Sequence, residues 1–165
     1  MYAIHGRRHP GQGSRRPGGV AFVAEPGGAV ELDLHATLLA VCRLAPEDAV
    51  PEWADRVFQP LVSITRTADE LSLVLPRSAV PSDVQTEIGW RAFSVRGPLP
   101  FHLTGILASL AAALAEAGVP IFVLSTHDTD WLLVGHDRVG DACAALENAG
   151  HQVHEAIDTA DETSA

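Results

Sequence analysis

Hydrophobic positions in the second half of the chain follow two periods, and they predict helices and strands in alternation. In residues 105–118, Ile106, Leu110 and Leu114 recur at every fourth position, which is typical of the buried stripe of a helix. A second helix is predicted over residues 137–150. Strands are predicted where apolar runs or strict alternation occur, at 90–97, 119–126, 131–135 and 151–157. The predicted order is β-α-β-β-α-β, the ferredoxin-like arrangement of an antiparallel sheet with helices on one face.

Residues with capping chemistry stand at the ends of these two helices. Thr104 and Asp137 stand at their starts, where a side-chain oxygen can accept a hydrogen bond from the first backbone N–H groups. Gly118 and Gly150 stand at their ends, where the left-handed conformation that ends many helices favours glycine. The caps and the periodicity therefore predict the same helix boundaries.

The first half of the chain carries a shorter version of the same pattern. Strands are predicted at 37–44, 61–67 and 70–76, and short helices at 51–58 and 80–89. Ser82 is the expected cap of the second short helix. A shift of 60 residues superposes ITRTADELSLV (64–74) on LSTHDTDWLLV (124–134), and Glu70 then falls on Asp130. We therefore expect tandem copies of one α+β unit.

Four segments follow from this repeat. Residues 31–88 are expected to form a first, reduced unit, and residues 89–154 a second, complete one. Residues 1–30 are rich in Gly, Arg and Pro without periodicity, so we expect a poorly ordered tail. Residues 155–165 form a short acidic tail.

The charge and the apolar content exclude several classes of partner. The net charge is −10, which argues against nucleic acid because phosphate neutralisation needs a basic face. No apolar run reaches the ~18 residues of a membrane span, and no secretory signal follows the N-terminus. We therefore expect no membrane partner and a cytoplasmic location, where Cys42 and Cys143 would stay reduced.

The densest polar chemistry lies in STHDTDWLLV (125–134), between two apolar runs. A metal site is disfavoured, because His127 and its neighbouring acids lack a second His or Cys. An acid/base pair of His127 and Asp130 would be the best enzymatic reading, but it has no nucleophile elbow or phosphate loop beside it. A turn in which Asp130 caps its own backbone is the simplest alternative. No metal, cofactor or catalytic residue is therefore predicted.

The same residues carry a family resemblance. SITRTADELSLV (63–74) and the long segment from GWRAFSV to STHDTDWLLV (89–134) closely resemble the small bacterial tandem ACT-domain proteins, which are similar to the CASTOR family of amino-acid sensors. The resemblance covers roughly residues 31–154. His-Ala-Thr (35–37) departs from the Leu-Pro-Gly-like turn expected there.

This resemblance implies a non-catalytic regulatory module that binds an amino acid or a similar small metabolite where two units meet. It also implies a homodimer and a regulated protein partner, since the chain has no catalytic domain of its own. The implied pocket lies between the segment 100–107 and the turn 126–130. Its seven implied contact residues are Thr104, Gly105, Ile106, Leu107, Thr126, His127 and Asp130.

The chemistry of these residues suits a zwitterion. Free N–H groups at a helix N-terminus suit a carboxylate, and Asp130 suits an ammonium or a guanidinium. His127 stands where arginine-sensing relatives carry an aromatic residue, so the ligand stays open. Glu70 would mark either a second, degenerate pocket or a surface charge. A structural protein with a degenerate pocket, or a small acid/base enzyme, are the other functions left open.

Overall fold

The computed structural model describes residues 28–57, 59–99 and 104–155. These residues form eight strands and three helices, in the order β1 (Glu31–Leu34), β2 (Leu39–Leu44), α1 (Glu52–Asp55), β3 (Ser63–Arg66), β4 (Leu71–Pro76), β5 (Thr86–Val95), α2 (Ile106–Glu116), β6 (Ile121–Ser125), β7 (Asp130–Gly135), α3 (Val139–Asn148) and β8 (Gln152–Glu155). The predicted fold class, α+β with ferredoxin-like units and antiparallel pairing, is confirmed. The predicted tails lie outside the described residues except for 28–30 and 155.

One long strand, β5, joins the two halves of the sheet. The first part of β5, from Thr86 to Trp90, pairs with β2, and its last part pairs with β7 on one side and β1 on the other. The first half of the sheet therefore has the order β3-β4-β2-β5, and the second half has the order β6-β7-β5-β1-β8. The unit boundary predicted at residues 88 and 89 falls inside this shared strand.

The strand β1 is absent from the predicted elements, and it lies inside the second half of the sheet. It is antiparallel to β5 and parallel to β8, and the latter is the one parallel pair among the described strands. The alternation of ELDL, with Leu32 and Leu34 buried, is the pattern that indicates such a strand. Val30 is also buried and donates its N–H to Nδ1 of His151, at 3.3 Å. The chain therefore enters the core before residue 31.

The helix predicted over residues 80–89 is wrong. Ser82 lies in a turn, and the chain then enters β5 at Thr86. Thr86, Glu87 and Ile88 pair with β2, so β2 supplies the backbone hydrogen bonds that a helix would have supplied. The β-branched residues Thr86 and Ile88 favour the extended form. Pairing with β2 therefore determines the extended conformation of residues 86–89.

The glycine stops are confirmed and the side-chain caps are not. Gly118 and Gly150 have φ values of 65° and 91°, in the left-handed region. The predicted caps Thr104 and Asp137 are wrong, because the N-cap positions are Gly105 and Arg138, and neither helix receives a side-chain cap hydrogen bond. A one-turn 3-10 helix, which includes Asp137, leads into α3 instead.

The core has three clusters of buried residues, one on each half of the sheet and one shared by both halves. The predicted stripe Ile106, Leu110 and Leu114 is buried, and α2 and α3 pack on the second half of the sheet. A smaller cluster lies on the first half, and Trp53 of the short helix α1 packs against it. A third cluster contains residues of both halves, including Leu39, Val74, Ala92 and Leu133. The two units therefore share buried apolar surface as well as a strand.

Within the described ranges no helix is both long and apolar enough to cross a membrane. Cys42 is buried and Cys143 is half-buried, and burial raises the pKa of both thiols. Both are therefore weak nucleophiles at neutral pH.

Candidate functional site

A cavity of about 300 Å³ opens between the start of α2 and the turn that joins β6 to β7. Six of the seven residues predicted for the pocket line it: Gly105, Ile106, Leu107, Thr126, His127 and Asp130. Thr104 is exposed and precedes these residues in the chain without lining the cavity. The segment 100–103, also predicted to contribute, lies outside the described residues. The structure therefore brings together two segments that lie about twenty residues apart in sequence.

The helix side of the cavity is formed by Gly105 and the first residues of α2. Gly105 has φ 87°, a conformation that glycine adopts without strain, and it turns the chain into α2. The first intrahelical hydrogen bond runs from Ser109 N to Gly105 O, at 2.9 Å. The N–H groups of Ile106, Leu107 and Ala108 precede that bond and have no partner within the helix. This end of α2 carries a partial positive charge and suits an anion.

The turn side of the cavity is a tight hairpin. Ser125 and Asp130 are the last paired residues of β6 and β7. Thr126 N donates to Thr129 O at 2.8 Å, and Thr129 N donates to Thr126 Oγ1 at 3.3 Å. These bonds fix the two residues between them, His127 and Asp128, at the tip.

The hairpin tip is anchored to the end of β5. The side chain of Thr129 donates a hydrogen bond to Val95 O, and Leu99 N donates to Asp128 O at 2.8 Å. A Cβ atom at Gly97 would lie 2.8 Å from Asp128 O, so only glycine fits at this contact. The turn therefore holds a fixed position relative to α2, which follows β5 in the chain.

The two acids of the turn have different surroundings. Asp130 is half-buried, and its Oδ1 accepts a hydrogen bond of 2.6 Å from Ser125 Oγ. Asp128 is exposed, and its Oδ1 lies 2.8 Å from Nδ1 of His127, whose side chain is 82% exposed. The cavity thus has carboxylates at one wall and a helix N-terminus at the other. An arrangement of this kind can bind a molecule that carries both a positive and a negative charge.

The competing chemistries find less support in this arrangement. Within the described ranges no group of three or more His, Cys, Asp and Glu side chains could hold a metal ion. An acid/base pair needs its base to be oriented by its partner acid. Here His127 is hydrogen-bonded to Asp128, while Asp130 is hydrogen-bonded by Ser125.

Five residues that line the cavity are not among the seven predicted contacts. Asp128 and Thr129 belong to the predicted turn 126–130, whereas Leu99, Ala108 and Ser125 lie outside both predicted segments. Ser125 could have been found, because a turn that starts at Thr126 places its side chain on the same face as that of Asp130. Ala108 follows from helix geometry, one residue after Leu107. No pattern in the sequence indicates Leu99, whose place depends on its bond to the turn.

The expected partner of Asp130 in the first unit is wrong by one residue. In the first hairpin Thr67 N donates to Glu70 O at 2.9 Å, as Thr126 N does to Thr129 O. The equivalent positions are therefore 59 residues apart, and Glu70 corresponds to Thr129. The counterpart of Asp130 is Leu71, which is fully buried. Glu70 forms a salt bridge of 2.8 Å with Arg43 at the surface.

Family models match both halves of the chain. Residues 85–148 match the model of the ACT domain. Residues 38–83 match a separate model, described as an N-terminal domain. A comparison with curated proteins found no significant match.

Solved structures give a similar result. Atu0741 from Agobacterium tumefaciens is 36% identical, with a TM-score of 0.74 over 81% of this chain and 98% of that one. An aspartate kinase from Clostridium acetobutylicum, described as an allosteric enzyme, is 12% identical with a TM-score of 0.57, over 74% of this chain and 35% of the kinase. The regulatory subunit of aspartate kinase from Thermus flavus is 13% identical with a TM-score of 0.53, over 74% of this chain and 99% of that one. The two kinase similarities show a shared fold.

Proposed function

The chain belongs to the protein family of Atu0741 and carries an ACT domain, and from this premise we propose that it binds a free amino acid in the cavity between α2 and the β6–β7 turn. ACT domains are regulatory rather than catalytic modules. The single observation that supports the proposal best is the pairing of opposite charges across one cavity. Asp130 and the first residues of α2, whose N–H groups have no partner within the helix, line the same cavity.

The ligand's two charged groups would bind at the two walls. Its carboxylate would accept hydrogen bonds from the N–H groups of Ile106 and Leu107, because the helix end carries partial positive charge. Its ammonium would lie against Asp130. Gly105 leaves room for the ligand beside the backbone, and Thr126 and His127 border it at the turn. Thr104, which was predicted to contact the ligand, has no role in the proposed site because it does not line the cavity.

The open side of the cavity supports a homodimer as part of the proposal. Among the described residues, all those that line the cavity belong to the segment 99–130, and none comes from the first unit. A ligand at a unit–unit interface therefore needs a second copy of the chain, placed over the exposed residues of the turn. Ligand binding would then bias how the copies associate, typically by ~1–3 kcal/mol, and a partner protein could respond. The proposed protein is a cytoplasmic amino-acid sensor that resembles the CASTOR family.

A thermal-shift screen of the twenty amino acids tests the proposal. A ligand at about 100 times its Kd stabilises the folded chain by about 2.7 kcal/mol, which is easily measured. We expect at least one amino acid to raise Tm, and Asp130→Asn to remove that rise with little change in the unliganded Tm. Glu70→Gln is the matched control, because Glu70 is an acid of the equivalent hairpin that lies outside the cavity.

The outcomes separate the three functions. No shift with any amino acid would overturn the proposal and favour a structural protein with a degenerate pocket. Equal loss of binding in Asp130→Asn and Glu70→Gln would show that the cavity is not the site. Turnover of a substrate that is lost in His127→Gln would favour the acid/base enzyme instead.

A further inference from the structure

The hydroxyl of Ser125 lies against the carboxylate of Asp130 at the wall of the cavity. Ser125 Oγ donates a hydrogen bond of 2.6 Å to Asp130 Oδ1, which is within the range of strong bonds from a hydroxyl to a carboxylate. Both residues line the cavity. This contact engages one of the two oxygens of the acid before any ligand arrives.

The hairpin holds the two side chains in this contact. Ser125 and Asp130 are paired across β6 and β7, so their side chains leave the sheet on the same face. The Thr126–Thr129 bonds close the turn directly beyond the pair. Thr129 also fastens the turn to Val95 of β5. Ser125 is therefore placed by the backbone and does not depend on the ligand.

The second acid of the cavity has the same limitation. Asp128 Oδ1 lies 2.8 Å from His127 Nδ1, so one oxygen of this carboxylate is also engaged. A guanidinium binds a carboxylate best as a fork, with two parallel N–H groups on two oxygens. An ammonium is a compact donor that needs a single oxygen. Neither acid of the cavity offers both oxygens unengaged.

From this geometry we infer that Ser125 is a positioning residue, which leaves Asp130 Oδ2 for the ligand and makes the site select an ammonium over a guanidinium. The inference rests on the proposed function and names the cation that the site accepts. Ser125 acts through Asp130 and supplies no catalytic chemistry. Its effect should appear in the preference between two cations rather than in the fold.

The test uses the full chain and two matched probe pairs, glycine with guanidinoacetate and L-lysine with L-arginine. Both pairs keep the carboxylate. The first pair exchanges the α-ammonium for a guanidinium, and the second keeps the α-ammonium and exchanges the side-chain ammonium for a guanidinium. We expect the ammonium member of at least one pair to bind about ten-fold more tightly by calorimetry, since a bond to a charged group has that worth. Ser125→Ala should reduce this preference to about two-fold or less, and Ser125→Thr should restore it because threonine keeps the hydroxyl.

Ser109→Ala is the matched control. Its hydroxyl donates to Ile106 O at 2.8 Å within α2, outside the cavity lining, so the preference should stay unchanged. Equal binding of both members in both pairs, or a preference that survives in Ser125→Ala, would overturn the inference while leaving amino-acid binding intact. Absence of binding by any amino acid would overturn the proposed function itself, and the inference with it.

Discussion

The two hairpins of the molecule, β3–β4 and β6–β7, share a backbone and differ in what surrounds it. Both turns close with the same bond, from Thr67 N to Glu70 O and from Thr126 N to Thr129 O. The position after that bond is Leu71 in the first hairpin, fully buried, and Asp130 in the second, half-buried. The repeated turn therefore does not make a site.

The helices that face the two hairpins explain the difference. The second unit presents the N-terminus of α2, a helix of eleven residues. The first unit has α1, which is four residues long and offers little aligned dipole. The first unit contributes buried surface to the shared core instead. The cavity between α2 and the β6–β7 turn lies in the second unit, and the first unit packs against that unit through the shared core.

Exchanging the key residues between the hairpins should give the largest contrast. Leu71→Asp should lower the free energy of unfolding by about 5 kcal/mol, because it removes a buried side chain and buries a carboxyl group without a partner. Asp130→Leu should change stability by about 1 kcal/mol or less and abolish ligand binding. Urea unfolding measures both. Similar stability losses in the two variants would contradict the comparison.

A substitution in α2 should also destabilise the chain more than a substitution in α1. Leu110→Ala in α2 should cost about 3 kcal/mol, since the side chain is fully buried between α2 and the sheet. Ala54→Gly in α1 should cost about 1 kcal/mol. Leu110→Ala should also weaken ligand binding, because it loosens the helix whose start forms one wall. Unfolding curves and calorimetry on the same samples check both statements.

Mild acid should act on the second half of the sheet, which contains β1 and β8, and leave the first half unchanged. His151 is buried, and burial lowers its pKa below 6.5. The unfolded chain takes up a proton near pH 6.5 that the folded chain refuses, so stability is full above that pH and declines as the pH falls toward the lower folded pKa. Protonation would also remove the acceptor of the Val30 N–H. Residues 36–89 contain no histidine.

Hydrogen exchange on either side of pH 6.5, corrected for intrinsic rates, tests this expectation. Protection should fall at β1 and β8 and stay constant at β3 and β4. His151→Asn should remove the effect, because asparagine can accept the same hydrogen bond without titrating. His136→Gln, at an exposed histidine, is the control. An equal loss of protection at β1 and β8 and at β3 and β4 would contradict the expectation.

The smallest effects should be equal in the two hairpins. Thr67 Oγ1 accepts bonds from Asp69 N and Glu70 N, and Thr126 Oγ1 accepts one from Thr129 N. Because both turns are exposed, Thr67→Ala and Thr126→Ala should each cost about 0.5–1 kcal/mol. A much larger loss in one of them, by urea unfolding, would show that the turns are not equivalent.

The sequence pattern predicted what depends on local periodicity. The stripe of α2, the stops at Gly118 and Gly150, and the apolar runs of β6 and β7 require only their own neighbours. The segment 86–89 required a partner strand, and its four residues were too few to show an alternation before Trp90. The strand β1 was not predicted for a related reason. Its four residues, ELDL, are too few to show a clear alternation, and the segment before them has no periodic pattern.

The residues of the candidate site also divide into those that could be predicted from the sequence and those that depend on tertiary contacts. The pattern locates the elements at whose ends Gly105 and Thr126 stand. The family resemblance implied the pocket, and six of its seven implied contact residues meet around the cavity. The predicted equivalence of Glu70 and Asp130 is wrong because the Leu-Val identities align at a shift of 60 residues, whereas the turn hydrogen bonds align at a shift of 59. Ser125 was missed because its role depends on strand register. A one-residue change of register moves a side chain to the other face of the sheet.

The position of β1 has a consequence for synthesis of the chain. The first half of the sheet is complete when residue 95 has left the ribosome, since β2, β3, β4 and β5 lie together in sequence. β1 emerges before all of them, but its parallel neighbour β8 ends at residue 155. Contacts of such long sequence separation form slowly. The unit that carries the cavity therefore closes last, on a scaffold that its partner unit has already built.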